Sequence, residues 1–441
     1  MHGETALPME FGPAGPLRGT PGLPGDKSIS HRALMIAAMA RGRSRINGLC
    51  EGSDLHSTAS ALRAMGVRIE RDGDSWTVDG VGSGCLLQPE RALDMGNSGT
   101  STRLLMGLTA SHPITATFTG DSSLCRRPMD RVTGPLGRIG ADFASAPGGR
   151  LPVTVRGLCP AVPAVHRLDI ASAQVKSALL LAALNIPGIT RVIEPVPTRD
   201  HSERMLAQFG ADIEVRATEE GGREIALRGE AELKPREIGI PGDISAAAFL
   251  IVAALIVPGS EIAIRGVGVN PMRRALVDLI GEMGGRIALR DRGDRDGEPV
   301  ADLEVRHSKL KGIDVPPALI PAMIDEFPIF FVAAAFAEGV SRTSGLGELR
   351  VKESDRIAAM AEGLRAIGAN VEESEDGLAI EGSGGAPLAG GARIESRLDH
   401  RIAMSFAVAG LHSKTPIEID DMRPVATSFP GFAETQRGLS R

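Results

Sequence analysis

Long, nearly unbroken apolar runs recur along the chain, each opened by small polar residues or glycine: "SISHRALMIAAMA", "GTSTRLLMGLTA", "SAQVKSALLLAALN", "DISAAAFLIVAALI", "DEFPIFFVAAAFA" and "DHRIAMSFAVAG". They begin near Ser28, Gly99, Ser172, Asp243, Asp325 and Asp399, at spacings of 71, 73, 71, 82 and 74 residues. Runs this uniformly apolar predict buried helices. Five of the six close on a glycine (Gly42, Gly188, Gly259, Gly339, Gly410), so polar starts and glycine ends read as N-caps and C-caps. Each run leads into a strand-like stretch such as "SRINGL", "TRVIEPV" or "SEIAIRGV". A second helix series follows, with apolar positions three and four apart, as in "STASALRAMGVRIE" and "SERMLAQFGADIE". Its terminal glycines, Gly66, Gly140, Gly210, Gly284 and Gly368, are spaced by 74, 70, 74 and 84.

Two series with one period define a unit of helix, strand, helix, strand, strand, about seventy residues long and present six times. The stretch "PGDKSISHR" at Pro24 returns as "PGDISAAAF" at Pro241, which groups three units per half. The domains expected are residues 24–240 and residues 1–23 plus 241–441. In the second copy Ile244 replaces Lys27 and Phe249 replaces Arg32. The fold alone therefore does not require that charge.

Composition narrows the function classes. With 441 residues, 42% hydrophobic and 24% charged, the chain has the make-up of a globular protein of two or three domains. Its apolar runs are too short to span a bilayer, and no export or transit signal is visible at the N-terminus. Cys50, Cys85, Cys125 and Cys159 form no CxxC pair, which fits a reducing cytoplasm. A net charge of −6 and 3% aromatic residues argue against nucleic acid or an anionic membrane as partner.

An acidic protein that binds anions must concentrate its cations, and helix N-termini are where anions are favoured. Parallel buried helices would bring their N-termini to one face. Basic residues do lie at helix starts: Lys27, Arg32, Arg103, Lys176 and Arg401 in the buried series, and Arg127, Arg199, Lys352 and Arg356 in the second. Asp26, Asp243 and Asp399 read as caps rather than catalysts. His31 and His400 lack metal-ligand spacing, and no metal site is expected. In "MIDEFPI", Asp325 and Glu326 precede an apolar helix; capping explains one of them and a general base the other. In "KESDR", Lys352, Glu353 and Arg356 occupy about one turn, as a surface ion-pair cluster or as part of a site.

Together, "PGDKSISHR", "GNSGTSTR", "RRPM", "ASAQVKSALLLAALN", "IDEFP", "RVKESDR" and "DHRIAMSFAVAG", in this order from Leu23 to Phe432, resemble the bacterial 5-enolpyruvylshikimate-3-phosphate synthases. The resemblance implies an α/β fold of two inside-out α/β domains, each of three βαβαββ units, with the active site in an interdomain cleft. It implies a cytoplasmic monomer acting on phosphoenolpyruvate and shikimate 3-phosphate without metal or organic cofactor. The first domain would be mainly the shikimate 3-phosphate side. By motif, Lys27, Ser28, Arg32, Ser172, Gln174, Arg199, Asp325 and Lys352 would bind shikimate 3-phosphate. Lys27, Gly99, Arg127, Gln174, Arg356 and Arg401 would hold phosphoenolpyruvate. Asp325 would be the base for the 5-hydroxyl, and Glu353 and Lys352 would deliver a proton to the methylene carbon; Lys27 reaches both substrates and is counted with the catalytic residues.

Two details depart from the pattern. Many relatives carry a lysine shortly before the C-terminal "TFP", and "VATSFP" has none. "SAQVKSA" and "TRDHSE" resemble a glyphosate-tolerant subgroup, which has alanine where this chain has Gly99, so glyphosate sensitivity is expected here. The rival readings are a UDP-N-acetylglucosamine enolpyruvyl transferase, of whose cysteine loop Cys125 is a faint echo, and a non-catalytic repeat scaffold.

Overall fold

The computed structural model describes residues 5–440. The chain separates into two compact units. Of the described residues, one unit comprises Gly25–Ile240 with Arg295–Glu298; the other comprises residues 5–24, Pro241–Asp294 and residues 299–440. Each has its own hydrophobic core.

The six apolar runs are the core helices: α1 (Lys27–Met39), α2 (Gly99–Ala110), α3 (Ala173–Ala183), α4 (Ile244–Ile256), α5 (Phe327–Phe336) and α6 (His400–Gly410). Every residue of α4 and α5 is buried. A helix apolar all round has no face for water, so it occupies the centre of its unit. Close packing there needs small residues. A Cβ at Gly107 on α2 would come within 2.2 Å of the Ala178 carbonyl oxygen on α3.

Sheets cover these helices with one face and meet solvent with the other, as the alternating burial of Arg150–Arg156 and Ile189–Glu194 shows. The first unit has three four-stranded mixed sheets. In the second of these, Leu93–Asp94 runs parallel to Thr115–Thr119, and Arg150–Arg156 and Asp142–Ala146 continue antiparallel. The third repeats this with Val165–Arg167, Ile189–Glu194, Arg223–Arg228 and Asp212–Ala217.

At the repeat junctions the strands are exchanged. The first sheet takes its parallel edge strand from Glu237–Gly239, at the far end of the unit, alongside Arg41–Asn47. Arg18–Gly19, which precedes α1 in sequence, instead pairs with Glu261–Gly268 in the second unit. The sixth copy departs further from the expected pattern: its strand Ile417–Ile419 pairs antiparallel with Met9–Phe11 from near the chain start.

Capping partly follows expectation. Asp26, Asp243 and Asp399 cap α1, α4 and α6, accepting from the backbone N–H of Ile29, Ser245 and Arg401 at 2.8–2.9 Å. Ser98 and Ser172 cap α2 and α3. The C-cap expectation is corrected. The C-caps of core helices α1, α4 and α5 are Ala40, Val257 and Ala337; Gly42, Gly259 and Gly339 each lie two residues beyond the cap. The left-handed glycine just past a helix belongs to the second series, as at Gly66, Gly210, Gly284 and Gly368. Among the described residues no single helix is long and apolar enough to cross a membrane.

Candidate functional site

Within the first unit the opening turns of the three core helices meet. His31 on α1 lies 3.2 Å from Ser101 on α2. Arg103 on α2 donates to Gln174 Oε1 on α3 at 2.9 Å, and Gln174 Nε2 donates to Thr100 at 2.9 Å. Arg32, buried, reaches Ser177 on α3 at 2.7 Å, Ser202 at 2.8 Å and the Ser28 carbonyl at 2.9 Å. Three helix starts therefore pool their N-terminal partial charge around Lys27, Ser28, Ser172 and Gln174. Lys27, about a fifth exposed, pairs with the nearly buried Asp54.

Gly99 opens α2 between two guanidinium groups. A Cβ there would stand 2.9 Å from Arg103 Nη1 and 3.2 Å from Arg127 Nη1. Arg127 donates to Asn97 Oδ1 at 2.5 Å and to Ser123 Oγ at 3.2 Å. Cys125, on the short helix Ser122–Cys125, donates its thiol to the Gly120 carbonyl at 3.4 Å.

His31 is fully buried, and burial together with the Lys27 and Arg32 charges drives its pKa well down, so it is the neutral imidazole. It joins a hydroxyl chain: His31 Nδ1 to Thr58 at 2.8 Å, Thr58 to Ser101 at 2.6 Å, and Ser101 to the cap Ser98 at 2.6 Å.

Lys176, expected among the anion-attracting cations, has a different part. It is fully buried, 3.1 Å from Glu194 and 2.7 Å from Glu203, and it donates to the Thr198 carbonyl at 3.2 Å. Glu194 also accepts from the Thr198 N–H and hydroxyl at 3.2 and 2.6 Å. The cluster clamps the residue just before Arg199, which lies at the start of the helix His201–Gln208.

The second unit gathers Asp325, Lys352, Glu353, Arg356 and Arg401. Arg356, 1% exposed, donates through Nε to Asp399 Oδ2 at 2.8 Å and through Nη2 to Glu353 at 2.6 Å; its Nη1 lies 3.6 Å from Asp325 Oδ1. Burial opposes its charge, but the carboxylates of Asp399, Glu353 and Asp325 hold the guanidinium above its usual range. Burial likewise opposes ionisation of Asp399, yet Arg356 keeps its pKa below the ordinary carboxylate value. The i,i+3 ion pair expected in "KESDR" forms between Glu353 and Arg356, but Arg356 is buried rather than on the surface. The helix begins only at Arg356, with Lys352 and Glu353 in the turn before it. Burial pushes the Lys352 ammonium below the usual lysine range, against the opposing pull of Asp325, Glu348 and Glu353.

Side-chain capping does not account for Glu326, the second acid of "MIDEFPI". Glu326 occupies the N-cap position of α5 but makes no side-chain cap bond. Its Oε1 accepts from Ser245 and lies 3.4 Å from Arg401 Nη1, which donates to the Asp325 carbonyl at 2.7 Å. The starts of α4, α5 and α6 thus meet as those of α1 to α3 do. Among the described residues no group of three or more His, Cys, Asp or Glu could hold a metal ion.

Asp54, Asn97, Ser177 and Ser202 are not singled out from sequence, and Glu326 is singled out only as a cap or base beside Asp325. Asp54 and Glu326 carried one signal, an acid at the head of a helix.

The family model for EPSP synthase (3-phosphoshikimate 1-carboxyvinyltransferase) matches residues 12–435. The chain belongs to this family. It is 63% identical to the 3-phosphoshikimate 1-carboxyvinyltransferase of Sphingopyxis alaskensis, covering 100% of both chains. It is 60% identical to that of Novosphingobium aromaticivorans, covering 98% of this chain and 99% of the relative. Among solved structures, the EPSP synthase of Acinetobacter baumannii matches with a TM-score of 0.85 at 44% identity, covering 98% of each chain. The enolpyruvyl transferase NikO from Streptomyces tendae, at 18% identity and TM-score 0.78, shares the fold.

Proposed function

We propose that the chain transfers the carboxyvinyl group of phosphoenolpyruvate to the 5-hydroxyl of shikimate 3-phosphate, releasing phosphate, in the shikimate pathway to chorismate and the aromatic amino acids. Family membership supports this reaction over transfer to UDP-N-acetylglucosamine and over a scaffold role. The observation that carries the assignment of roles is the buried Arg356, which holds Asp325 and Glu353 on one cation.

Addition followed by elimination needs one acid and one base in a cationic site. Glu353, with Lys352, protonates the methylene carbon of phosphoenolpyruvate, which makes the adjacent carbon electrophilic. Asp325 takes the proton of the 5-hydroxyl as its oxygen attacks. The tetrahedral adduct then loses a methyl proton and phosphate, leaving the enol ether. Lys27, Ser28, Arg32, Ser172, Gln174 and Arg199 hold shikimate 3-phosphate, with contacts from Asp325 and Lys352. Lys27, Gly99, Arg127, Gln174, Arg356 and Arg401 hold the donor, and no cofactor enters the scheme. Arg32 and Gln174 are already fastened by neighbouring side chains, so they present their polar groups with little side-chain entropy left to lose.

Phosphate release with both substrates, with each alone, and with UDP-N-acetylglucosamine as acceptor tests the reaction. Release only with phosphoenolpyruvate and shikimate 3-phosphate together is expected; release with the nucleotide sugar instead would overturn it. The reading takes the chain as a cytoplasmic monomer, and a solution mass well above 46.1 kDa would contradict the monomer.

A further inference from the structure

Helix α5 is apolar along its whole length, yet the residue before it is a carboxylate that is 1% exposed and does not cap the helix. A buried carboxylate is costly unless it is paired, so its partners should account for its presence. Glu326 has two on Oε1: the Ser245 hydroxyl at the start of α4, and Arg401 Nη1 at 3.4 Å. Its Oε2 is buried with no hydrogen-bond partner. Ser245 in turn accepts from Arg273 Nη2 at 2.7 Å, and Arg273 lies 3.7 Å from Asp243.

The same Arg401 nitrogen donates to the backbone carbonyl of Asp325 at 2.7 Å. Two consecutive residues therefore bracket one guanidinium nitrogen, one through its backbone and the other through its side chain. A neutral polar residue would satisfy Ser245 equally well. The nearby guanidinium groups give a charged acceptor its advantage, Arg401 directly and Arg273 through the shared Ser245 hydroxyl, since a hydrogen bond between ions is stronger than one between neutral groups.

We propose that Glu326 is a positioning residue that holds the Arg401 guanidinium in place for the phosphoenolpyruvate donor. This rests on the reading of Arg401 as a donor contact. The adjacent acids Asp325 and Glu326 then have separate tasks. Asp325 offers its carboxylate to the reaction and its carbonyl to Arg401; Glu326 turns inward and lies against the same guanidinium nitrogen.

Steady-state kinetics of Glu326→Ala, Glu326→Gln and Arg401→Ala, with the melting temperature of each, tests the proposal. Glu326→Ala is expected to raise KM for phosphoenolpyruvate by about tenfold and to leave KM for shikimate 3-phosphate within about twofold. Glu326→Gln should recover only part of the loss, because its amide oxygen still accepts from Ser245 and Arg401 but carries no charge. If Arg401→Ala raises the donor KM and Glu326→Ala does not, the positioning role is wrong. A rise in both KM values together with a lowered melting temperature would make Glu326 merely structural. An unchanged donor KM in Arg401→Ala would remove the underlying reading of Arg401, and the proposal with it.

Discussion

In the first unit, Arg32, Arg103 and Arg127 donate to serine hydroxyls, to glutamine and asparagine oxygens and to backbone carbonyls. In the second unit, Arg356 and Arg401 donate to, or lie against, Asp399, Glu353, Asp325 and Glu326. A neutral acceptor orients a guanidinium without cancelling its charge, which suits a group whose task is to attract phosphate and carboxylate. A carboxylate partner cancels charge, but it is also a group that can carry a proton. On the roles proposed above, the first unit would supply most of the grip on anions and the second the acid and base; the contrast holds for these arginines and not for Lys27, which pairs with Asp54.

The strongest way to break this division is Asp325→Asn. Loss of the base should lower kcat by about two to four orders of magnitude with the fold intact, as steady-state assay and circular dichroism would show. Turnover near wild type would return the proton chemistry to some other group. Next is stability. Arg356→Met leaves the buried Asp399 without its cation and should cost about 3–5 kcal/mol. Arg103→Met removes, among its bonds, those to Gln174 and the Pro128 carbonyl and leaves no such buried acid behind, and should cost about 1 kcal/mol. Denaturant midpoints of the two variants measure the difference, and equal losses would erase the distinction between the units.

A smaller effect is expected at Gly99. The methyl of Gly99→Ala would press on the ends of Arg103 and Arg127, which would have to shift. Glyphosate inhibition against phosphoenolpyruvate should weaken by about tenfold, with a smaller rise in the donor KM. Equal inhibition of both proteins would sink the steric argument. The smallest effect concerns pH. Because burial lowers the Lys352 pKa, its ammonium is lost at a lower pH than that of an exposed lysine. Activity that needs the cation falls as pH rises through that lowered value. Lys352→Arg stays charged and should move the alkaline limb of kcat upward; an unmoved limb would assign it to another group.

The repeat architecture was legible because six apolar runs and five terminal glycines share a period. The strand exchange was not, since Arg18–Gly19 and Glu237–Gly239 are too short to show any periodicity. The glycine misreading has a similar origin. Both series carry a glycine near the helix end, and only the backbone tells the left-handed cap at Gly66 from Gly42, which lies within a strand. In the site, cations at helix starts were legible as residues, but their partners were not. Lys176 looks like Lys27 in sequence, and its two glutamates come from a strand and a helix further along the chain. Glu326 stood out only as an acid before an apolar helix, without a sign that its partners are Ser245 and Arg401.

The division of labour is tested most directly by measuring shikimate 3-phosphate binding calorimetrically for Lys27→Met and Asp325→Asn, with turnover of the same preparations. Lys27→Met is expected to lose binding by about tenfold or more. Asp325→Asn should bind within a few-fold of wild type while its turnover collapses. If Asp325→Asn loses its turnover only in proportion to lost binding, or if Lys27→Met binds normally, then grip and proton transfer are not divided in this way.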